Sequence, residues 1–223
     1  MNKLNHVAFI MDGNGRWGKK RNKGRNFGHI NGVKTVKKIV ETSIKLKIPI
    51  VTFYVFSTEN WKRPRAEINF LFRLIINYFQ EELNNVISNG IKINIIGKMK
   101  NLPSKIKLAL RKASNLTREN KKIIVNLGIN YGSKSEIINA FKKLNKKNIS
   151  IKSLERNLYT ANLPDPDILI RTGGRKRLSN FMLWQLAYSE IYFLDKLWPD
   201  FNNKDFKKIV NNFKKIKRNF GSI

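Results

Sequence analysis

Cysteine is absent from all 223 residues, which excludes disulfides, thiolate nucleophiles and thiolate-bound zinc and agrees with a reducing cytoplasm. Acidic residues are scarce, with 15 Asp and Glu against 45 Lys and Arg and only two His. Long apolar runs are missing too. The longest, residues 48–56, is far below the ~20 residues that span a bilayer, and the few residues before the first candidate strand do not read as a signal peptide. Neither an anchor nor a leader is expected. No internal repeat and no second domain stand out, so residues 1–223 are read as a single domain.

What is present is enough to build a core. The chain is 41% hydrophobic. Its formal charge of +30 suggests nucleic acid, because basic patches release counterions from phosphate backbones. Yet Lys, Asn and Ile together make up about two-fifths of the residues, and Asn and Ile have no electrostatic reason to rise with Lys. An AT-rich genome raises all three, which puts much of the charge on solvated faces and argues against a nucleic-acid partner. The charge still favours anionic substrates and acidic lipid surfaces.

The organising stretch is residues 6–29, HVAFIMDGNGRWGKKRNKGRNFGH. Residues 7–11 are too short for a helix and read as a buried strand. Asp12-Gly13-Asn14-Gly15 then forces a turn, since Gly and Asn tolerate positive φ. A helix starting near Arg16 would direct its unpaired N–H groups at the strand's carboxyl edge, where phosphates bind in α/β folds. Alone, this is also an ordinary turn before a solvated basic segment. Asp12 separates the two readings, because a carboxylate at the mouth of a cationic pocket implies a hard cation such as Mg²⁺ between it and phosphates.

Further along, residues 28–47 have helical apolar spacing, and residues 50–56 (IVTFYVF) read as a central parallel strand. A polar loop, residues 57–64, follows at that strand's carboxyl end. Residues 69–89 form a helix whose apolar positions cover more than one face, either a deeply buried core helix or one whose second face lines a cavity for a greasy ligand. Strands are predicted at 91–96 and 123–129, helices at 103–120 and 133–145, and a short helix near Ser153. Alternating strands and helices imply one mostly parallel sheet with helices on its faces.

Residues 166–174, PDILIRTGG, repeat the pattern of strand, cation and glycine turn, with Arg175, Lys176, Arg177 and Ser179 next. Two anion sites at one sheet edge suit a reaction between two phosphorylated partners. In the following SNFMLWQLAYSEIYF, the aromatic and aliphatic residues Phe181, Leu183, Trp184, Leu186, Tyr188, Tyr192 and Phe193 read mostly as core.

HVAFIMDGNGRW, FSTENWKRP, NYG, DILIRTGG and RLSNFMLWQLAYSEIYF with LWPDF stand in the order found in the cis-prenyltransferase family of undecaprenyl diphosphate synthases, and the chain resembles that family over essentially its whole length. The resemblance implies an α/β fold: a single six-stranded, mostly parallel sheet flanked by helices, with a hydrophobic tunnel, in a homodimer. The DDxxD motifs of the all-helical trans-type synthases are absent. It also implies repeated condensation of isopentenyl diphosphate onto an allylic diphosphate, in the cytoplasm with transient contact to a membrane surface.

Position by position, the resemblance places the allylic diphosphate on Gly13, Asn14, Gly15, Arg16, Arg25 and His29, with Trp17 beside it, and isopentenyl diphosphate on Arg171, Arg177, Leu178 and Ser179. Ser57, Thr58, Glu59, Trp61 and Arg63 belong to the loop that closes over the substrates. Asp12 and Asn60 are the implied catalytic residues, and Asp12 with Glu190 the implied Mg²⁺ carboxylates. Asn60 is a neutral amide and a poor base, better suited to position a diphosphate oxygen that takes the proton.

Three positions depart from the family pattern: Arg175-Lys176 replace an expected Glu and frequent His, Gly132-Ser133-Lys134 stands for GGR, and Arg218 lies one place early before Asn219-Phe220-Gly221. Two rival readings are an RNA-binding module, which needs aromatic stacking on a sheet face, and a non-catalytic partner subunit. Intact Asp12, Asn14, Arg16, Arg171 and Arg177 speak against the second.

Overall fold

The computed structural model describes residues 2–144 and 149–218. Its strands are β1 (His6–Ile10), β2 (Ile50–Ser57), β3 (Ile91–Ile96), β4 (Ile123–Tyr131), β5 (Ile168–Arg171) and β6 (Glu190–Phe193). They form one sheet in the order β3-β4-β2-β1-β5-β6. Every neighbouring pair is parallel, so the sheet is wholly rather than mostly parallel. The helices are α1 (Asn14–Lys20), α2 (Arg25–Lys45), α3 (Arg65–Ser88), α4 (Ser104–Leu116), α5 (Ser133–Lys142), α6 (Ile151–Glu155) and α7 (Asn203–Lys215). Among the described residues no helix is long and apolar enough to cross a membrane.

Strand alternation sorts the core into two layers. Val7 and Phe9 of β1 join Val51, Phe53, Ile93, Val125 and Ile170 beneath α2, α3, α4 and α7. Ala8 and Ile10 point the other way, with Ile96, Tyr131 and Leu169, under Phe181, Met182 and Leu186. Tyr188, read as core, is instead 67% exposed, because the chain has left this layer before entering β6.

The chain leaves β1 in one direction, toward β2, β4 and β3, and returns to build β5 and β6 on β1's other side. The carboxyl ends of β1 and β5, paired at Ile10 and Arg171, therefore flank the topological switch point, the usual ligand crevice of such sheets. Asp12 follows one of these ends and Arg171 closes the other.

A polar row crosses the same sheet nearer its amino edge. Fully buried His6 has Nδ1 2.7 Å from the Pro164 carbonyl and Nε2 2.6 Å from the Thr52 hydroxyl. Asn126 donates to Thr52 (2.9 Å) and Asn94 to Asn126 (2.8 Å). A carbonyl only accepts, so Nδ1 carries the proton and Nε2 accepts from Thr52. Burial lowers the His6 pKa from 6.5 to about 4, opposed in part by Pro164 and Asp167.

The folded state thus takes up this proton less readily than the unfolded chain. The stability that neutral His6 contributes is fully present above pH 6.5 and is lost as pH falls toward 4. At ~1.4 kcal/mol per pKa unit, about 2–3 kcal/mol should go between pH 6.5 and 4.5. Urea unfolding of wild type and His6→Gln at both pH values is the check. The variant should lose less by that amount, and equal losses would rule out His6 as the source.

Candidate active site

The turn after β1 begins at Gly13, whose φ of 111° is left-handed. A Cβ there would also strike the Leu197 side chain at 2.8 Å. Helix α1 starts one residue later, earlier than the sequence suggested, and packs against α2 so closely that Gly28 meets the Asn14 carbonyl where no side chain fits. Asn14 is thereby pinned: its Nδ2 donates to the Met11 carbonyl at 3.2 Å. Its Oδ1 is buried without a partner.

Asp12 accepts from Arg16 (3.1 Å) and from Arg171 (3.0 Å), one cation on each carboxylate oxygen. The Asp12 main-chain carbonyl accepts from Thr172 Oγ1 and from Trp198 N–H, which fixes the turn independently of the carboxylate. Arg171 is almost fully buried. Its NH1 donates to Ser179 Oγ at 2.8 Å and to the Arg177 carbonyl, while its Nε has no partner. Ser179, Asn180 and Met182 all have positive φ, a run that bends this segment back toward β5.

The second glycine turn differs from the first. The N–H groups of Gly173 and Gly174 donate to the Lys196 and Leu194 carbonyls, so they are not open to an anion as the repeated motif suggested. Donors at the second site come from side chains: buried Arg171 and the exposed Arg177 and Ser179. Leu178 lies among the second-layer core residues. Arg175 and Lys176 are exposed.

Facing Asn14 across α2 is a second cluster, built on Glu67, a residue the sequence reading did not single out. Arg25 grips its carboxylate through Nε and NH2 (3.1 and 3.0 Å), Arg63 donates from 3.1 Å, and His29 Nε2 lies 3.5 Å away. Two groups expected on the allylic diphosphate, Arg25 and His29, and one expected in the closing loop, Arg63, are thus gathered on one internal carboxylate. The signal was the i,i+4 spacing from Arg63 to Glu67 at the start of a helix. Burial, then the Arg63 charge, lower the His29 pKa to about 4, against the pull of Glu67, so the ring is neutral at pH 7.

The loop after β2 is a 3₁₀ turn, Thr58–Lys62. Asn60 Oδ1 accepts from Ser57 N–H at 3.1 Å, so the amide oxygen is committed to the cap and its NH₂ is the group left to meet substrate. Glu59 holds Asn180 at 2.8 Å and Thr58 at 3.1 Å, tying this loop to the segment carrying Ser179. Trp61 donates to Asn130 at 2.8 Å and packs edge-on to Phe56 and Phe72. Trp17 turns away from Asp12, with its indole N–H on Asp200 at 2.6 Å and its ring between Arg21 and Phe27.

Glu190 does not join Asp12 within the chain. It opens β6, paired with Ile168, at the amino edge of the sheet, opposite the carboxyl edge where Asp12 lies. Its neighbour there is Arg218, 3.9 Å away, which also pairs with Asp167 at 3.2 Å. Among the described residues no group of three His, Cys, Asp or Glu is placed to hold a metal. Asn219, Phe220 and Gly221 lie outside the described residues.

From the anion clusters a cavity of about 350 Å³ runs between α2, α3 and the sheet. Asn14 and His29 line its upper end. Below them, Val33, Val36 and Val40 of α2 face Leu71, Leu74, Ile75 and Tyr78 of α3, over Val125, Leu127 and Ile129 of β4. The two apolar faces of α3 are therefore both used: Ile68 and Phe72 enter the core, Leu71, Leu74, Ile75 and Tyr78 border the cavity, and buried Phe79 and Val86 do both. Ile123 is fully buried in the core and does not line it.

The profile of the Prenyltransf family, that of undecaprenyl diphosphate synthase, matches residues 10–221. An isoprenyl transferase of Fusobacterium nucleatum is 42% identical over 221 residues, covering 98% of this chain and 96% of the relative. In structure, the chain is similar to lavandulyl diphosphate synthase from Lavandula x intermedia, solved in complex with dimethylallyl diphosphate (TM-score 0.94, 32% identity, 98% of both chains). It is likewise similar to a "probable undecaprenyl diphosphate synthase" of Campylobacter jejuni (TM-score 0.85, 36% identity, 100% of both chains).

Proposed function

This chain belongs to the undecaprenyl diphosphate synthase family of prenyl transferases, and from that premise we propose that it adds isopentenyl diphosphate repeatedly, with cis geometry, to an allylic diphosphate such as farnesyl diphosphate. The product would be a long polyprenyl diphosphate of the undecaprenyl type, the lipid carrier for cell-wall polysaccharide. One observation carries this reading most directly. Of the four buried side-chain polar atoms without a hydrogen bond among the described residues, three (Asn14 Oδ1, Arg171 Nε and His29 Nε2, the last 3.5 Å from Glu67) lie in the anion clusters above the apolar cavity. Buried polar groups are normally paired, so such a concentration marks a place for a polar ligand with a greasy tail.

In this reading, the allylic diphosphate displaces the Glu67 carboxylate from Arg25, Arg63 and His29 and lays its tail along Val36 and Leu71. Isopentenyl diphosphate sits on Arg171, Arg177 and Ser179. The allylic C–O bond breaks with its electron pair on the diphosphate, and the isopentenyl double bond attacks the resulting cation. Attack leaves the positive charge on C3 of the isopentenyl unit; C2 then loses a proton to a diphosphate oxygen held by the Asn60 NH₂, and the electron pair of that C–H bond forms the new C2=C3 double bond. Arg16 and Arg171, already positioned by Asp12, together with the Arg25 and Arg63 that the diphosphate has taken over from Glu67, stabilise the departing charge.

The donor set fits Mg²⁺ in a limited way. Asp12 supplies one carboxylate, and Mg²⁺ is usually held by one or two carboxylates together with substrate phosphates and waters. When bound, the ion would neutralise charge on the leaving diphosphate. Asp12 is the residue that would hold it.

A homodimer would have exposed apolar side chains to bury, among them Ile138 and Phe141 of α5 and Ile191 of β6. A cytoplasmic protein that touches the membrane to deliver its product is consistent with the strongly basic chain. The RNA-binding alternative calls for open aromatic rings on a sheet face, whereas Tyr54 and Phe181 stack on each other at 4.4 Å and fully buried Tyr131 packs against both.

Incubation with farnesyl diphosphate and labelled isopentenyl diphosphate, with sizing of the extracted lipid, tests the proposal. No incorporation would reject it. Val125→Phe and Leu71→Trp, which push bulk into the cavity, should shorten the product. Ile123→Phe should instead cost about 1–3 kcal/mol of stability by overpacking. Unchanged length in stable Val125 and Leu71 variants would assign the cavity to packing alone.

A further inference from the structure

The apolar stretch between α2 and α3 is bridged by charge at two levels. One is the Glu67 cluster beside the diphosphate groups. The other is Lys37 on α2, whose Nζ lies 2.9 Å from both carboxylate oxygens of Glu82 on α3, with Asn85 donating to the same carboxylate at 3.0 Å. Lys37 is twelve residues beyond Arg25, about 18 Å along α2, and Glu82 is fifteen beyond Glu67, about 22 Å along α3. Lys37, Glu82 and Asn85 all border the cavity, as do Glu41 and Lys45 of α2 and Asn89, so an ion pair stands across the path where the apolar lining gives way to a polar far end.

A cavity of about 350 Å³ is near the low end for small-molecule pockets and holds a short prenyl chain, not one several times longer. As the tail grows, either elongation stops or the helices part. Apolar surfaces separate without losing a specific bond, whereas the Lys37–Glu82 pair must be broken, and an advancing hydrocarbon cannot replace its hydrogen bonds. Half-exposed Lys37 and partly exposed Glu82 make an ordinary surface pair, of the kind that adds little to stability and weakens in salt. Such a pair can open repeatedly without unfolding the protein.

We infer that Lys37 and Glu82 form a strap across the α2–α3 seam that determines product length, holding the tail inside while closed and letting it pass out between the helices when open. This rests on the elongation reading above. The test compares product lengths made by wild type, Lys37→Met, Glu82→Gln and the double exchange K37E/E82K, with the same substrates and detergent.

Each single variant removes the charge pair while keeping side-chain bulk, and should shift the distribution toward longer chains. The exchange restores an ion pair and should return the distribution to that of wild type. Raising the salt concentration should move wild type in the direction of the single variants. Unchanged lengths in both single variants, or an exchange variant that stays with them, overturns the strap while leaving elongation standing. A wild type that adds no isopentenyl units refutes the elongation reading itself, and the strap with it.

Discussion

Asp12→Ala should fold, keep much of its affinity for the allylic diphosphate and lose turnover by about 10²–10³-fold or more, the range seen when a preorganised charge-stabilising group is removed. The expectation of folding follows from the turn's construction. Thr172 and Trp198 bind the Asp12 main-chain carbonyl, which alanine retains, while the carboxylate touches only Arg16 and Arg171. Removing it frees two cations that still attract diphosphate. What is lost is the carboxylate that stands between Arg16 and Arg171, where a divalent cation would meet the diphosphate.

Because Glu190 lies at the other end of the sheet and Arg175 and Lys176 are cations, the protein alone should bind Mg²⁺ weakly and take it up together with diphosphate. Calorimetry with and without a non-hydrolysable diphosphate analogue, alongside an assay in EDTA, decides the matter. Tight binding by the unliganded protein, or full turnover without metal, would sink the idea.

Arg171→Ala should do wider damage than Arg177→Ala, although the motif presents them as equals. The Arg177 side chain is exposed and meets the rest of the site through its carbonyl, so its loss should remove a charge-assisted hydrogen bond worth about 1.5–3 kcal/mol. That loss should appear as a raised KM for isopentenyl diphosphate, with the allylic KM unchanged.

Arg171 is buried and holds Asp12, Ser179 and the Arg177 carbonyl together. Deleting it leaves partly exposed Asp12 beside one arginine and frees the 177–179 segment, so the cost should exceed the ~1.5–3 kcal/mol of the single Arg177 bond. Both kcat and the isopentenyl KM should suffer. Steady-state kinetics with each substrate varied in turn separates the cases. Equal losses in both KM values for Arg177→Ala would contradict the assignment of two sites.

The sequence was most legible where local chemistry settles local structure. Residues 91–96 form the predicted strand to the residue, and the β-branched run after Pro49 became β2, one residue longer than expected. Helix ends were less legible: α4 stops at Leu116 rather than 120, where Thr117 Oγ1 bonds back to the Ala113 carbonyl. Strand β6 and helix α7 went unassigned, the strand because EIYF is short and continues an apolar stretch. The helix had a signal, since Asn202 and Asp205 form its capping box. In α3, composition left core and cavity as alternatives, and the fold uses the helix for both.

Of the site, local chemistry supplies the cast: two strand-turn-cation motifs, an acid among bases, and neighbours in the chain that no fold could separate. Asp12, Gly13 and Asn14 had to share a turn, and Ser57 and Asn60 a cap, because those relations span only a few residues. Only the tertiary structure could decide which distant groups meet. Parallel pairing set Ile10 beside Arg171, and so gave Asp12 its arginine partner; the same register sent Glu190 to the far edge. Packing of α2 against α3 brought Arg25 and His29 onto Glu67 and Lys37 onto Glu82. Such contacts join residues 38 or more positions apart, and their geometry is fixed by strand order and helix packing, which no local pattern records.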